Sequence, residues 1–341
     1  MTTPKILFVL KKRRLYNMPT AKTLHSGLFN SATFVNEMLN RNGIESNLVQ
    51  VDDNNCIDRE VSKYKPTHVI IEALWVIPEK FDALHKLHPK VNWIIRLHSE
   101  MPFIANEGMA MEWIFIYDKM GKRNKIHIAP NTEKMYGDLK KAGVKNMIFL
   151  PNYYPVVGAD KNIFKDKNHV DIGCFGAIRP MKNQLIQAVS AIDFGNKITK
   201  PVHFHINSER IEKGDSALRN IRALFENQEV HTLVEHPWYS HEDFNDVIRK
   251  MDIGLQVSLN ETFNIVAADF VSNNIPIVGS NEINWLSCFY KANQTSSDDI
   301  VKKMKFAYRF RRFNFQKLNK LGLIMTGEVA TKAWVKYFKK H

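Results

Sequence analysis

Cysteine is scarce: the chain of 341 residues has three, Cys56, Cys174 and Cys288. Their wide spacing and odd number exclude a disulfide framework and a cysteine-held zinc site, and point to a reducing, cytoplasmic compartment. Long apolar runs are missing as well. None approaches the roughly 20 residues that span a bilayer, so no transmembrane segment is expected. The opening MTTPKILFVLKKRR places a short apolar run ahead of its bases, the reverse of a secretory leader. ILFVL reads instead as a first buried strand. Low-complexity tracts are absent. The histidines are scattered, and His203 and His205 alternate along a strand pattern rather than clustering, so no metal site is expected.

What is present is a large globular chain with an excess of bases. At 44% hydrophobic and 24% charged residues the composition is that of a soluble α/β protein, long enough for two domains. The net charge of +13 favours a polyanionic partner, either nucleic acid or an acidic membrane surface. Apolar runs at 5–10, 46–51, 68–74, 91–98, 126–131 and 146–152 read as strands with helices between them, the first helix running from about Ser31 to Asn42 and stopping at Gly43. Alternation of this kind implies a mostly parallel sheet covered on both faces. LPNYYPVV (150–157) carries two prolines and reads as a linker. A second αβ series follows, with runs at 169–178, 201–207, 231–238, 252–259 and 275–280. The expected domains are 1–152 and 153–327, with a last helix, 328–341, packing back on the first. Residues 298–322 read as one basic helix. It could lie on a membrane, grip nucleic acid or pack against the protein.

Five segments carry the candidate chemistry. In SLNETFNIVAADFVSNNIPIVGS (258–280) a strand gives way to a loop with Glu261, then a helix with Phe263, Val266, Ala267 and Phe270 at helical spacing, then another strand. Asp269 lies on that helix, with seven residues separating it from Glu261. A helix start after a parallel strand attracts anions, and a carboxylate there suits a ribose diol. Gly176-Ala-Ile-Arg179-Pro-Met-Lys182-Asn183 also follows a strand; its glycine permits close backbone approach, and Arg179 and Lys182 can neutralise a diphosphate. It lacks the Gly-Lys-Ser/Thr ending of a phosphate loop. HSEMPF (98–103) puts His98 and Glu100 at the end of a strand, where either can take a proton from a hydroxyl. Lys11, Lys12, Arg13 and Arg14, with Lys22, form a basic run just past the first strand and suit acceptor phosphates, or are simply a solvated charge run. Glu72 ends another strand, beside Trp75.

The 258–280 stretch resembles the Glu-x7-Glu segment of GT-B glycosyltransferases, with the shorter Asp269 in the second acidic position. The 98–103 and 176–179 segments are similar to those of bacteriophage DNA glucosyltransferases, which act on hydroxymethylpyrimidines. The resemblance is confined to these motifs and their order. It implies two Rossmann-like domains facing a cleft, with Gly176, Arg179, Lys182, Glu261 and Asp269 binding a UDP-linked sugar as co-substrate, without other cofactor or metal. It makes Glu100 the base of an inverting displacement, with His98 second to it. Their positions past strand ends give Lys11, Lys12, Arg13, Arg14 and Glu72 to the acceptor side, and Gly27 joins them where family members let the donor or acceptor approach, with His25 and Ser26 as further contacts. The acceptor implied is double-stranded DNA whose modified base leaves the stack. Glu-x7-Glu relatives are mostly retaining, which would demote Glu100. No Asp-x-Asp occurs, so the metal-dependent GT-A type finds no support. The alternatives are transfer to a lipid-linked or surface glycan, and a non-catalytic nucleic-acid-binding protein. The last explains the charge but leaves the acids and the Gly176 loop without a task.

Overall fold

The computed structural model describes residues 3–12, 26–156, 164 and 167–340, and the chain divides into two compact units, Met1–Pro155 with Gly327–His341, and Val156–Thr326. Arg13, Arg14, Lys22 and His25 lie outside the described residues.

The first unit runs β1 (Lys5–Lys11), α1 (Gly27–Arg41), β2 (Glu45–Val51), α2 (Ile57–Tyr64), β3 (His68–Glu72), α3 (Lys80–Leu87), β4 (Asn92–Leu97), α4 (Met101–Ile104), α5 (Ala110–Asn124), β5 (Ile126–Pro130) and α6 (Glu133–Lys141). Its strands form one parallel sheet in the order β2-β1-β3-β4-β5. Alternation along the strands builds two cores. Leu7, Val9, Val69, Ile71, Trp93 and Ile95 face one way, toward α2, α3, α5 and α6. Ile6, Phe8, Ile70 and Ile94 face the other, toward α1 and toward Trp334 and Phe338 near the end of the chain. Trp334 is wholly buried, stacks on Phe338, and donates its indole N–H to the Pro151 carbonyl at 2.8 Å.

The second unit runs β6 (Val170–Gly173), α7 (Gln184–Ile198), β7 (Val202–Asn207), α8 (Asp215–Glu226), β8 (Thr232–His236), α9 (His241–Ile248), β9 (Ile253–Gln256), α10 (Ile265–Ser272), β10 (Ile277–Ser280), β11 (Lys291–Ala292) and α11 (Ser297–Phe310). A last helix, α12 (Lys317–Lys340), begins in this unit and ends in the first. The second sheet is also parallel, in the order β11-β10-β9-β6-β7-β8. Gly173 and Gly254 are partners across β6 and β9, and a Cβ on either would come within 2.8 Å of the Phe270 ring. That pair of glycines is what lets α10 lie close on the sheet.

Three expectations shift. The run 146–152 makes only an isolated bridge, Ile128 to Met147, because Pro130 has no N–H to continue the ladder. Helix α1 starts at Gly27, where Ser26 caps it by accepting the Phe29 N–H at 3.2 Å. The helix expected across 298–322 breaks after Phe310 through a short 3-10 turn and Asn314 at φ +55°.

Candidate functional site

In the second unit β6 and β9 are neighbours, so the loops leaving their carboxyl ends meet. Gly176 turns the first loop at φ +111°, and its N–H donates to Asn207 Oδ1 at 3.0 Å. The loop then enters a 3-10 turn, Pro180–Lys182, and Asn183 at φ +57° starts α7. The Asn183 side chain donates to the carbonyls of Val257 and Gln294, and the Leu259 N–H donates to the Met181 carbonyl, tying the two loops together.

Lys182 closes this array. Its ammonium meets Glu261 at 2.5 Å, and both side chains are mostly buried. Asn264 donates to Glu261 at 3.0 Å and to Gln256 at 2.9 Å, while its own Oδ1 accepts the Ala267 N–H as the N-cap of α10. Arg179 lies 3.3 Å from Glu212. Each of the two basic side chains is thus held by a carboxylate at the end of the sheet where parallel α/β folds take ligands. Asp269 stands apart from this array. It lies in the second turn of α10, is 1% exposed, and accepts from His241 Nε2 at 2.7 Å. Burial alone would lower the His241 pKa, but the hydrogen bond and charge of Asp269 outweigh it and raise it.

In the first unit the ends of β3 and β4 carry a buried polar network. Glu72 and Arg96 are register partners on neighbouring strands and neither is exposed. Arg96 Nη1 spans both Glu72 oxygens at 3.1 and 3.2 Å; its other nitrogens donate to the Leu150 and Pro151 carbonyls and to Asn152. His98 Nε2 also bonds Glu72, and Asn131 Nδ2 lies 3.4 Å from His98 Nδ1. Burial pushes Glu72 toward neutrality, yet Arg96 and His98 together hold it below the usual carboxylate range. Burial, with the charge of Arg96, keeps His98 below the ordinary imidazole value despite Glu72. His98 is therefore neutral at pH 7, and the carboxylate assigns the proton to Nε2, leaving a lone pair on Nδ1.

A pocket of about 150 Å³ opens over this network, lined among others by Lys11, Glu72, Trp75, His98 and Ser99. Glu100 is not among its lining residues. It is buried at the start of α4, with the Thr132 hydroxyl donating to it at 2.5 Å and the Lys134 ammonium an ion-pair partner 3.9 Å away. Lys12 is exposed beyond β1, and Gly27 is exposed at the first position of α1. The structure thus brings together Glu72, His98 and Lys11 in one unit and Gly176, Lys182 and Glu261 in the other. Sequence reasoning passed over Arg96, Asn264 and His241. An arginine inside the apolar run VNWIIRL is itself a signal, because a buried guanidinium requires a carboxylate. Nothing local marks His241.

By sequence, the chain matches no protein-family model and no curated protein. By structure it is similar to OtsA in its apo form, with 10% identity and a TM-score of 0.69 over 98% of this chain and 99% of that one. It is similar to Anabaena Alr3699/HepE, solved with UDP and glucose, at 9% identity and a TM-score of 0.63 over 97% and 99% of the two chains. S. aureus TarM, solved with UDP, gives 14% identity and a TM-score of 0.63; the match covers 82% of this chain and 58% of TarM. These likenesses and the two parallel Rossmann-like sheets define the fold as GT-B.

Proposed function

We propose that the chain is a glycosyltransferase that uses a UDP-linked sugar. The observation that carries this reading is the Lys182–Glu261–Asn264 array beside Gly176, at the carboxyl ends of β6 and β9. The presence of UDP in two solved structures of the same fold supports the choice of nucleotide. The acceptor oxygen attacks the anomeric carbon, the bond from that carbon to the phosphate oxygen breaks, and UDP leaves with the electron pair. Lys182 and Arg179 stabilise the charge that grows on the diphosphate. Asp269 holds the ribose, reached by exchanging its bond to His241 for the diol.

For an inverting displacement the acceptor's proton goes to His98 Nδ1, with Glu72 fixing the tautomer. His98 lines the pocket, and its Nδ1 is met by Asn131 Nδ2 rather than by the ion pair, so an acceptor hydroxyl reaches it by displacing an amide and not a carboxylate, which favours it over Glu100. The acceptor we favour is double-stranded DNA bearing a hydroxymethylated pyrimidine; the charge of +13 and Lys11 at the pocket support a polyanion.

The test is incubation with UDP-sugars and either hydroxymethylated or unmodified duplex, followed by mass analysis of the nucleosides. Sugar on the modified base alone is the expected result, with His98→Ala far slower than Glu100→Gln. Turnover of the donor with glycan acceptors only would move the acceptor. Salt-sensitive DNA binding without any affinity for UDP would favour a binding protein.

A further inference from the structure

The amino end of β6 carries a group of side chains that sugar transfer does not use. His169, just before β6, and Asp171 within it are two residues apart and so share one face of the sheet. Asp171 is the register partner of His203 on β7, which brings the second imidazole to the same face. His169 Nε2 lies 3.3 Å from one Asp171 oxygen and His203 Nδ1 3.5 Å from the other, and the two rings stack with centroids 3.9 Å apart. One ligand atom from each of the three residues falls within 4.8 Å of the others. Donors bound at about 2.0–2.2 Å around a tetrahedral ion lie roughly 3.3–3.6 Å apart. We infer that His169, Asp171 and His203 form a site for a first-row divalent cation of the zinc type.

The surroundings are built to hold the carboxylate. Asp171 is mostly buried, and His205 Nε2 donates to its Oδ1 at 3.0 Å. His205 is in turn bonded through Nδ1 to His236 at 2.8 Å, and His236 to the Tyr239 hydroxyl at 3.1 Å. Such a chain fixes a ligating carboxylate in one orientation. The two imidazoles, each about one-third exposed, are reachable from solvent. Two nitrogen ligands with one carboxylate select zinc, cobalt or nickel over magnesium or calcium, which prefer all-oxygen shells. Lys167 is the natural competitor. Its ammonium bonds the Asp171 oxygen that faces His169, and Asp252 lies 3.6 Å away to receive it when a metal enters. The site sits at the opposite end of β6 from the Gly176 loop, so its occupancy is separable from nucleotide binding.

The experiment is titration of the tag-free, metal-stripped full chain with Co2+ by visible absorption and with Zn2+ by calorimetry at pH 7.5. One equivalent per chain, with affinity falling at least about tenfold in His169→Ala and in His203→Ala, is the expected result. Zinc raises the Tm of the wild type and not that of the double variant. Lys167→Ala binds more tightly than wild type. No saturable binding to the wild type, or undiminished binding to the double variant, overturns the assignment.

Discussion

Lys182 and Glu261, 79 residues apart in sequence, meet at 2.5 Å and hold the loops after β6 and β9 as one surface. Both side chains are mostly buried, so removing one leaves the other charge in poor solvent. Glu261→Ala is expected to lower unfolding stability by about 1–3 kcal/mol, measured by urea denaturation. An unchanged midpoint would mean that the pair contributes nothing in the absence of ligand.

Glu72 and Arg96 are fully buried partners, and either alone would be an unpaired charge in the core. Glu72→Ala and Arg96→Met should each cost about 3–5 kcal/mol, and the double variant clearly less than their sum. A double-mutant cycle by chemical denaturation measures the coupling. Simple additivity would contradict the network.

The His241–Asp269 bond makes stability depend on pH. His241 is raised above its ordinary 6.5, so its contribution is full below about that value. It is lost as pH rises through the higher folded value. Unfolding free energy should therefore fall between slightly acidic and alkaline pH, and His241→Gln should remove that part of the slope. A variant with the wild-type pH profile would count against the pair.

Trp334 fills the core of the first unit from the far end of the chain, beneath Arg96 at 5.2 Å from its ring and beside Phe8. Trp334→Ala should cost about 3–5 kcal/mol by thermal or urea unfolding, while Leu321→Ala on the exposed face of the same helix should cost little.

Much of this could be read from the chain itself. The alternation of Ile6 and Phe8 against Leu7 and Val9 states which side of β1 each core occupies, and the strand–loop–helix–strand order of 258–280 is plain in its apolar spacing. What could not be read depends on register between strands. Glu72 presents as an acid at a strand end and Arg96 as an oddity in an apolar run; only their pairing across β3 and β4 shows that each satisfies the other. In the same way His203 looks isolated until Asp171 is placed opposite it. Asp269 faces His241 on α9, a contact set by helix phase and packing rather than by the seven-residue interval from Glu261. The basic run is only half visible, since Lys11 and Lys12 are described and Arg13 and Arg14 lie outside the described residues.

The most direct measurement is calorimetric titration of UDP into the wild type and into Lys182→Ala. Saturable one-site binding that weakens by about tenfold or more in the variant is the expected result, corresponding to loss of one charge-assisted phosphate contact. No binding of UDP to the wild type, or equal affinity in the two proteins, would contradict a nucleotide site at the β6 and β9 loops.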